Sequence, residues 1–254
     1  MLAGGMAAGV FGSLLGLGGG ILIVPLLTLG FSLPLRDAVG VSLACVVATS
    51  AAAAGTFLER KIADLRLAMT LELFTAGGAV AGGLIAFSLD EQLLAALFAI
   101  LLLYVAATMI RRAFHTEREE TGSAVVGDRT PPRNLALGVA GGIFGGVVSA
   151  ILGIGGGVVM VPVMHLGMGI PLRVATATST VMVAVTAAAS GIVYLVRGGI
   201  DPYVLGPTAV GVVAGALVGS RSAQRIDLRV LRILFVVVLG YVAIQMARRA
   251  VAPT

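Results

Sequence analysis

Eight stretches of the chain, about residues 2–31, 38–58, 67–87, 92–110, 135–169, 174–196, 203–219 and 230–247, are apolar almost throughout. A bilayer core about 30 Å thick is crossed by roughly 20 helical residues. Each run is therefore close to spanning length, and the first and fifth are longer than one simple span requires. Backbone polar groups inside hydrocarbon have to be paired within the protein, which points to helices. Composition agrees: 11% of residues are charged and 58% hydrophobic, with a mean hydropathy of +1.07, where soluble domains carry about 25% charged residues. A water-soluble fold of this length could not cover its own surface with so few charges, and disordered chains are poor in hydrophobic residues. The expected class is an all-α polytopic membrane protein whose first partner is the lipid bilayer.

A net charge of +5 would suggest nucleic acid in a soluble protein. Here the basic residues lie between the apolar runs, where the positive-inside rule expects them, and no basic cluster is interleaved with aromatics. No nucleic-acid partner is expected. One cysteine, Cys45, and two histidines, His115 and His165, supply neither a disulfide framework nor a metal cluster, so no metal and no cofactor are expected. The first 30 residues lack a basic leader and their pattern recurs later, which reads as mature structure rather than a signal peptide.

The one extended polar stretch, Arg111–Asn134, is charged and contains Pro131-Pro132, as a solvated linker would. It divides the chain into a first transmembrane repeat (1–110), a linker (111–134) and a second transmembrane repeat (135–254). The halves are copies: GLGGGILIVP at 16–25 matches GIGGGVVMVP at 153–162, an offset of 137 residues. The same ungapped offset pairs Pro34-Leu35-Arg36 with Pro171-Leu172-Arg173, Ser42 with Ser179, Thr49 with Thr186, Asp64 with Asp201, Gly82 with Gly219, Phe98 with Phe235 and Tyr104 with Tyr241. Duplicated sets of about four segments are a habit of secondary transporters.

Orientation turns on the first and fifth stretches. Were each a single kinked span, Arg and Lys would divide eleven to six between the linker side and the far side. Were each a pair of half-helices folded back at its glycine run, the division would be thirteen to four. The second obeys the positive-inside rule better. It predicts inverted repeats with broken or re-entrant first helices, a cytoplasmic linker and both termini outside.

Residues that bear chemistry fall at matching places in the two copies. Gly18, Gly19 and Gly20 with Pro25, and Gly155, Gly156 and Gly157 with Pro162, sit mid-segment. Adjacent glycines loosen a helix and the proline deletes a donor. Freed N–H groups at such a break bind an anion; the alternative use is close helix packing, the role assigned to the GxxxG pairs Gly5/Gly9, Gly12/Gly16, Gly78/Gly82 and Gly215/Gly219. Arg36 and Arg173 lie in the first turn after proline, against the preference of the helix dipole. A guanidinium there would take a sulfonate, sulfite or carboxylate through paired hydrogen bonds; snorkelling to headgroups, or a salt bridge to Asp37 in the first copy, would also explain it. Ser42 and Thr49, and Ser179 and Thr186 with Thr176, Thr178 and Thr180 nearby, offer hydroxyls on one face to an oxyanion, or to their own helix carbonyls. Glu72 is the lone carboxylate placed inside a span and has Ala209 at its offset position. A charge at a helix centre costs roughly 2.5–3.5 kcal/mol, so it either faces the interior, with proton coupling as a possible role, or sits wet near the interface. Asp64 and Asp201 read as helix caps, and His165 as a residue without a special role.

No nucleophile–base set, HExxH or P-loop is present, so no enzymatic activity is expected. GLGGGILIVPLL with LPLRDAVGVSL, repeated as GIGGGVVMVPVM with IPLRVATATST, resembles the TauE/SafE family of membrane permeases over nearly the whole chain. The resemblance implies transport, frequently export, of small and often sulfur-containing anions such as sulfite or organosulfonates. It also implies a site between the two glycine motifs and the helices that start at Arg36 and Arg173, in a plasma (inner) membrane protein. The second copy departs from the first in its threonines, Thr176, Thr178 and Thr180 against Val39, Val41 and Leu43, so a pseudo-symmetric site would be chemically lopsided. The competing readings are a passive anion channel and a non-transporting scaffold or intramembrane enzyme.

Overall fold

The computed structural model describes residues 1–15, 20–59, 61–114, 134–222 and 228–251. These form α1 (Leu2–Leu15), α2 (Gly20–Pro25), α3 (Leu35–Glu59), α4 (Leu65–Ala86), α5 (Glu91–Phe114), α6 (Leu135–Leu152), α7 (Gly157–Pro162), α8 (Leu172–Val196), α9 (Pro202–Ser222) and α10 (Leu228–Val251). No strand occurs among the described residues. Six helices, α3, α4, α5, α6, α8 and α9, contain windows long and apolar enough to cross a bilayer; Leu2–Phe11, Gly20–Gly30 and Gly157–Gly167 are shorter apolar helices. The eight apolar stretches thus resolve into more elements than eight because the first and fifth each break in two. Of the linker reading, 111–134, residues 115–133 lie outside the described set, while 111–114 continue α5 as helix and Asn134 directly precedes α6.

The breaks follow from local chemistry. α6 ends at Gly153, whose left-handed φ of 72° lets its N–H turn back to the Ser149 carbonyl, a conformation costly for any residue with a Cβ. Pro25 and Pro162 each remove a rung from the helical ladder, and directly after each the winding widens into a π-helical turn, Leu26–Gly30 and Val163–Gly167. The second break is a hairpin. A Cβ built on Gly141 would lie 2.6 Å from Val163 Cγ1, and one on Gly167 would lie 2.6 Å from Leu137 Cδ2, so Gly157–Gly167 runs back along α6. The first half does the same, with Gly4 facing Leu26 Cδ2 at 2.8 Å. Asp64 caps α4 by accepting from Leu67 N at 3.1 Å, and the Asp201 carboxylate accepts from Tyr203 N at 2.9 Å at the start of α9.

Glycine sets the helix pairing. α1 lies parallel to α9, with Gly5 and Gly9 against the carbonyls of Thr208 and Val212, and Gly211 and Gly215 against those of Leu2 and Met6. α4 lies parallel to α6 in the same manner, Gly78 and Gly82 meeting Ile143 and Val147 while Gly146 meets Thr75. A Cβ at any of these glycines would collide with backbone, so the small residues hold the axes close. Of the GxxxG pairs, Gly16 and the side-chain environment of Gly12 are outside what is described. α3 and α8 cross antiparallel at the centre: Gly40 faces the Tyr194 ring and Gly191 faces Leu43. α5 packs on α10. Phe98, Leu102 and Leu239 are buried in the main core, and Met160, Met164, Met168 and Met182 with Leu67 and Leu71 form a second core between α4, α7 and α8. Leu73, Ile100, Ile192 and Val210 point outward, the face a lipid-embedded bundle presents.

Candidate functional site

The two helix breaks meet. A Cβ on Gly20, the first residue of α2, would lie 2.8 Å from the Gly153 carbonyl oxygen and 3.2 Å from Ile154 Cα. Only glycine permits that approach. Gly155, with φ +76°, is wedged between Val183 Cγ1 at 2.6 Å and Val46 Cγ1 at 2.7 Å from its built Cβ, two valines separated by the 137-residue offset. The junction therefore sits where α3 crosses α8. Ser42 stitches it together: its hydroxyl donates to the Gly153 carbonyl at 2.8 Å, with the Gly20 carbonyl at 3.3 Å. Gly18 and Gly19 lie outside the described residues.

On the other side of the junction the hydrogen bonding is incomplete. Gly155 and Gly156 are both left-handed, φ +76° and +80°. Among the described residues, no hydrogen bond is made by the N–H groups of Gly155, Gly156, Gly157 or Val158; the first bonds of this turn are Val159 and Met160 to the Gly156 carbonyl. Two hydroxyls face the same turn. Ser149 Oγ lies 3.6 Å from a Cβ built on Gly156, and Ser179 Oγ 3.4 Å from one built on Gly157. Ser149 is 0% and Ser179 1% exposed, and neither hydroxyl has a partner. A buried donor left unpaired costs about 1–3 kcal/mol, and native structures contain few.

The remaining sequence candidates are distributed as follows. Thr49 Oγ1 donates to the Cys45 and Val46 carbonyls of its own helix at 3.1 and 3.2 Å. Thr176 and Thr180 likewise bond their own helix, to Leu172 and Thr176 carbonyls. Thr178 Oγ1 accepts from Asp64 N at 3.0 Å, tying α8 to the start of α4. Thr186 Oγ1 donates to Glu72 Oε1 at 2.9 Å, and Glu72 Oε2 is buried without a partner; the structure thus joins two candidates that the sequence left 114 residues apart. Pro25 is buried and Pro162 half-buried, each at its π-helical turn. Thr28, one turn past Pro25, offers its carbonyl to Arg249 Nη2 at 3.0 Å. His165 Nδ1–H donates to the Ile170 carbonyl at 2.9 Å, a local turn contact. Cys45 is buried, and no metal-ligating cluster occurs among the described residues.

The arginines are not at the junction. Arg36 Nη2 donates to the Leu89 carbonyl at 2.8 Å and its guanidinium lies 5.3 Å from the centre of the Phe87 ring, leaving Nε buried and unpartnered. Arg197 stacks on the same ring at 5.7 Å, and Tyr194 meets it at 5.0 Å. Arg173 is exposed at the start of α8. Sequence reasoning passed over Ser149, Phe87, Tyr194 and Arg197. Ser149 is one small residue in a glycine-rich helix face and Gly12 is its offset partner, so repeat matching could not single it out. Tyr194, buried with its hydroxyl on the Ala150 carbonyl at 3.0 Å, has no local motif.

The family model "Sulfite exporter TauE/SafE" matches residues 1–246. Similar curated proteins include the "Probable membrane transporter protein YunE" of Bacillus subtilis, 24% identical over 88% of this chain and 86% of that protein. A second is YdhB of the same organism, with the same description, 27% identical over 84% of this chain and 85% of that protein. A third is MJ0441 of Methanocaldococcus jannaschii, also described so, 26% identical over 95% and 92%. No solved structure matches significantly. With multiple apolar spans, paired helix breaks and a family match over nearly its full length, the chain belongs to the TauE/SafE family of membrane transporters.

Proposed function

We propose that the protein is a secondary transporter, working as an exporter, of small anions, sulfur-containing ones such as sulfite or organosulfonates foremost, at the plasma (inner) membrane. Alternating access takes place about a midplane site at the junction of the two glycine motifs. The observation that carries the reading is the pair of buried hydroxyls there without a partner, Ser149 and Ser179, beside the N–H groups of Gly155–Val158, which make no hydrogen bond among the described residues. Donors with no acceptor among the described residues suit an anion that brings its own acceptors. Gly20, Ser42, Thr49 and Thr186 line or brace the same crossing in this reading, and Arg36 and Arg173 stand at the helix starts.

An inverted repeat is supported by the antiparallel crossing of α3 and α8, helices related by the 137-residue offset. Charge distribution supports it as well. Arg36 and Arg197, two of the four far-side basic residues of the inverted scheme, converge on Phe87, and Asp64 meets Thr178 at the opposite, arginine-rich end. The linker end is then cytoplasmic. Glu72, bonded to Thr186, is the proposed proton-coupling group.

The test is flux in liposomes. Purified protein should move sulfite or an organosulfonate with saturation and counterflow, whereas ohmic single-channel current would favour a passive anion channel. A thermal-shift screen against sulfite, sulfate, thiosulfate, sulfoacetate, taurine and simple carboxylates identifies the solute, because a ligand of the folded state stabilises it by RT ln(1 + [L]/Kd).

A further inference from the structure

Phe87 is a first-half side chain seated in a socket of the second half. It ends α4 at the turn into α5, and because α5 then runs toward the linker, this turn lies at the opposite end of the bundle. Its ring meets Tyr194 with centroids 5.0 Å apart and planes tilted by 51°, and its Cζ lies 3.4 Å from a Cβ built on Gly199. Arg197, at the end of α8, brings its guanidinium to 5.7 Å from the ring centre, and Arg36 brings the first half's own to 5.3 Å. Both fall within the reach of a cation–π contact. Asp37 lies close enough to feel Arg36 and Asp201, but among the described residues the contacts of the two arginines are to this ring and, for Arg36, to the Leu89 carbonyl. What they share is one aromatic ring rather than a carboxylate. Beneath it the halves close to backbone: a Cβ built on Gly40 would collide with the Gly199 carbonyl.

Resting on the carrier reading, we infer that Phe87 is a latch that shuts the far end of the solute path and leaves its socket when that end opens. Rocking one repeat against the other parts the halves at one end while the other end stays closed, so ties between halves at the far end have to break and re-form in each cycle. Phe87 is built for that because its release strands no hydrogen bond. Arg197 is exposed and turns to water. Arg36 keeps the Leu89 carbonyl, which belongs to its own half. Tyr194 keeps the Ala150 carbonyl, which belongs to its own half as well. The ties nearer the linker differ in kind: Thr178 Oγ1 accepts from Asp64 N, and Thr186 Oγ1 donates to Glu72 Oε1. Each of those joins the halves by a hydrogen bond that parting would leave unmade, with the cost that follows in a buried setting.

The experiment follows a single thiol below the latch. Cys45, the one cysteine, is replaced by alanine, and Gly191→Cys places the thiol on α8 one turn before Tyr194, where a built Cβ meets Leu43 Cβ at 4.0 Å. The full chain is labelled with a membrane-impermeant methanethiosulfonate in right-side-out vesicles, which present the far end, and in inside-out vesicles, with no transported solute present. Phe87→Leu keeps apolar bulk but loses the ring, and should speed labelling in right-side-out vesicles at least about fivefold, the population shift that one aromatic pair and its cation–π contacts represent. Arg197→Gln, which alters an exposed side chain and spares the fold, should speed it about two- to fivefold. Phe87→Tyr, which keeps the ring, and Phe144→Leu, on an outward-facing ring of α6, should label at the reference rate. Labelling in inside-out vesicles should not change. Reference rates in both Phe87→Leu and Arg197→Gln, a Phe87→Tyr chain as fast as Phe87→Leu, or acceleration in inside-out vesicles would overturn the latch. The carrier reading stands or falls separately, on whether the unsubstituted protein takes up sulfite into liposomes with saturation.

Discussion

Gly155→Ala tests the geometry of the junction most directly. At φ +76° an alanine pays the left-handed penalty of about 1–2 kcal/mol. Its methyl would also stand 2.6 Å from Val183 Cγ1 and 2.7 Å from Val46 Cγ1, well inside contact, and overpacking of this kind costs about 1–3 kcal/mol. The combined expectation is a loss of about 2–5 kcal/mol, measured by unfolding of the purified protein in detergent. The two contributions separate in a double-mutant cycle. Val183→Ala or Val46→Ala deletes a colliding methyl, so Gly155→Ala combined with either should lose at least about 1 kcal/mol less than the sum of the single variants. The backbone strain should persist in every combination. A Gly155→Ala protein as stable as wild type to within about 0.5 kcal/mol, or strictly additive doubles, would refute the wedge between α3 and α8.

Gly146→Leu should break the α4–α6 seam, where a Cβ already overlaps the Thr75 carbonyl, and lower the thermal midpoint sharply; Gly77→Ala on the open side of α4, with nothing within 4 Å, should leave it unchanged. Arg36→Ala removes a charged hydrogen bond and a cation–π contact, an expected loss of about 2–4 kcal/mol in the same unfolding assay. Arg173→Ala, on an exposed side chain, should leave stability within about 0.5 kcal/mol, so any loss of flux it causes reports on the solute path rather than on folding. Glu72→Gln can still accept from Thr186 through its amide oxygen but cannot exchange a proton; flux measured across a pH series should lose its pH dependence, and an unchanged profile would remove the coupling role.

Much of the architecture was legible in residue order. The glycine spacing that predicted tight pairing at Gly5/Gly9, Gly78/Gly82 and Gly215 is where the parallel helix pairs touch, because close approach demands a missing Cβ and little else. Asp64 and Asp201 were readable as caps for the same reason: an N-terminal cap is a contact within one turn. The candidate site was less legible. Repeat matching treated Ser42 and Ser179 as equals, and local chemistry gave no hint that one would be bonded across the junction and the other not. Arg36 looked like an anion ligand from its place in a first turn, whereas the structure sets its guanidinium on a carbonyl and a ring 53 and 51 residues away.

Hydropathy and run length by themselves determined that this chain lives in a bilayer as helices, because the energy of apolar surface and unpaired backbone is decided residue by residue along the chain. The glycine and proline positions determined where those helices break, since φ freedom and a missing N–H are properties of single residues. Only the tertiary structure decided which broken ends meet, that Thr186 finds Glu72, and that Ser149 and Ser179 are left with hydrogen to give. Those facts depend on partners more than a hundred residues away or on another helix altogether, and a hydroxyl is free or bound according to what the fold places within 3 Å of it.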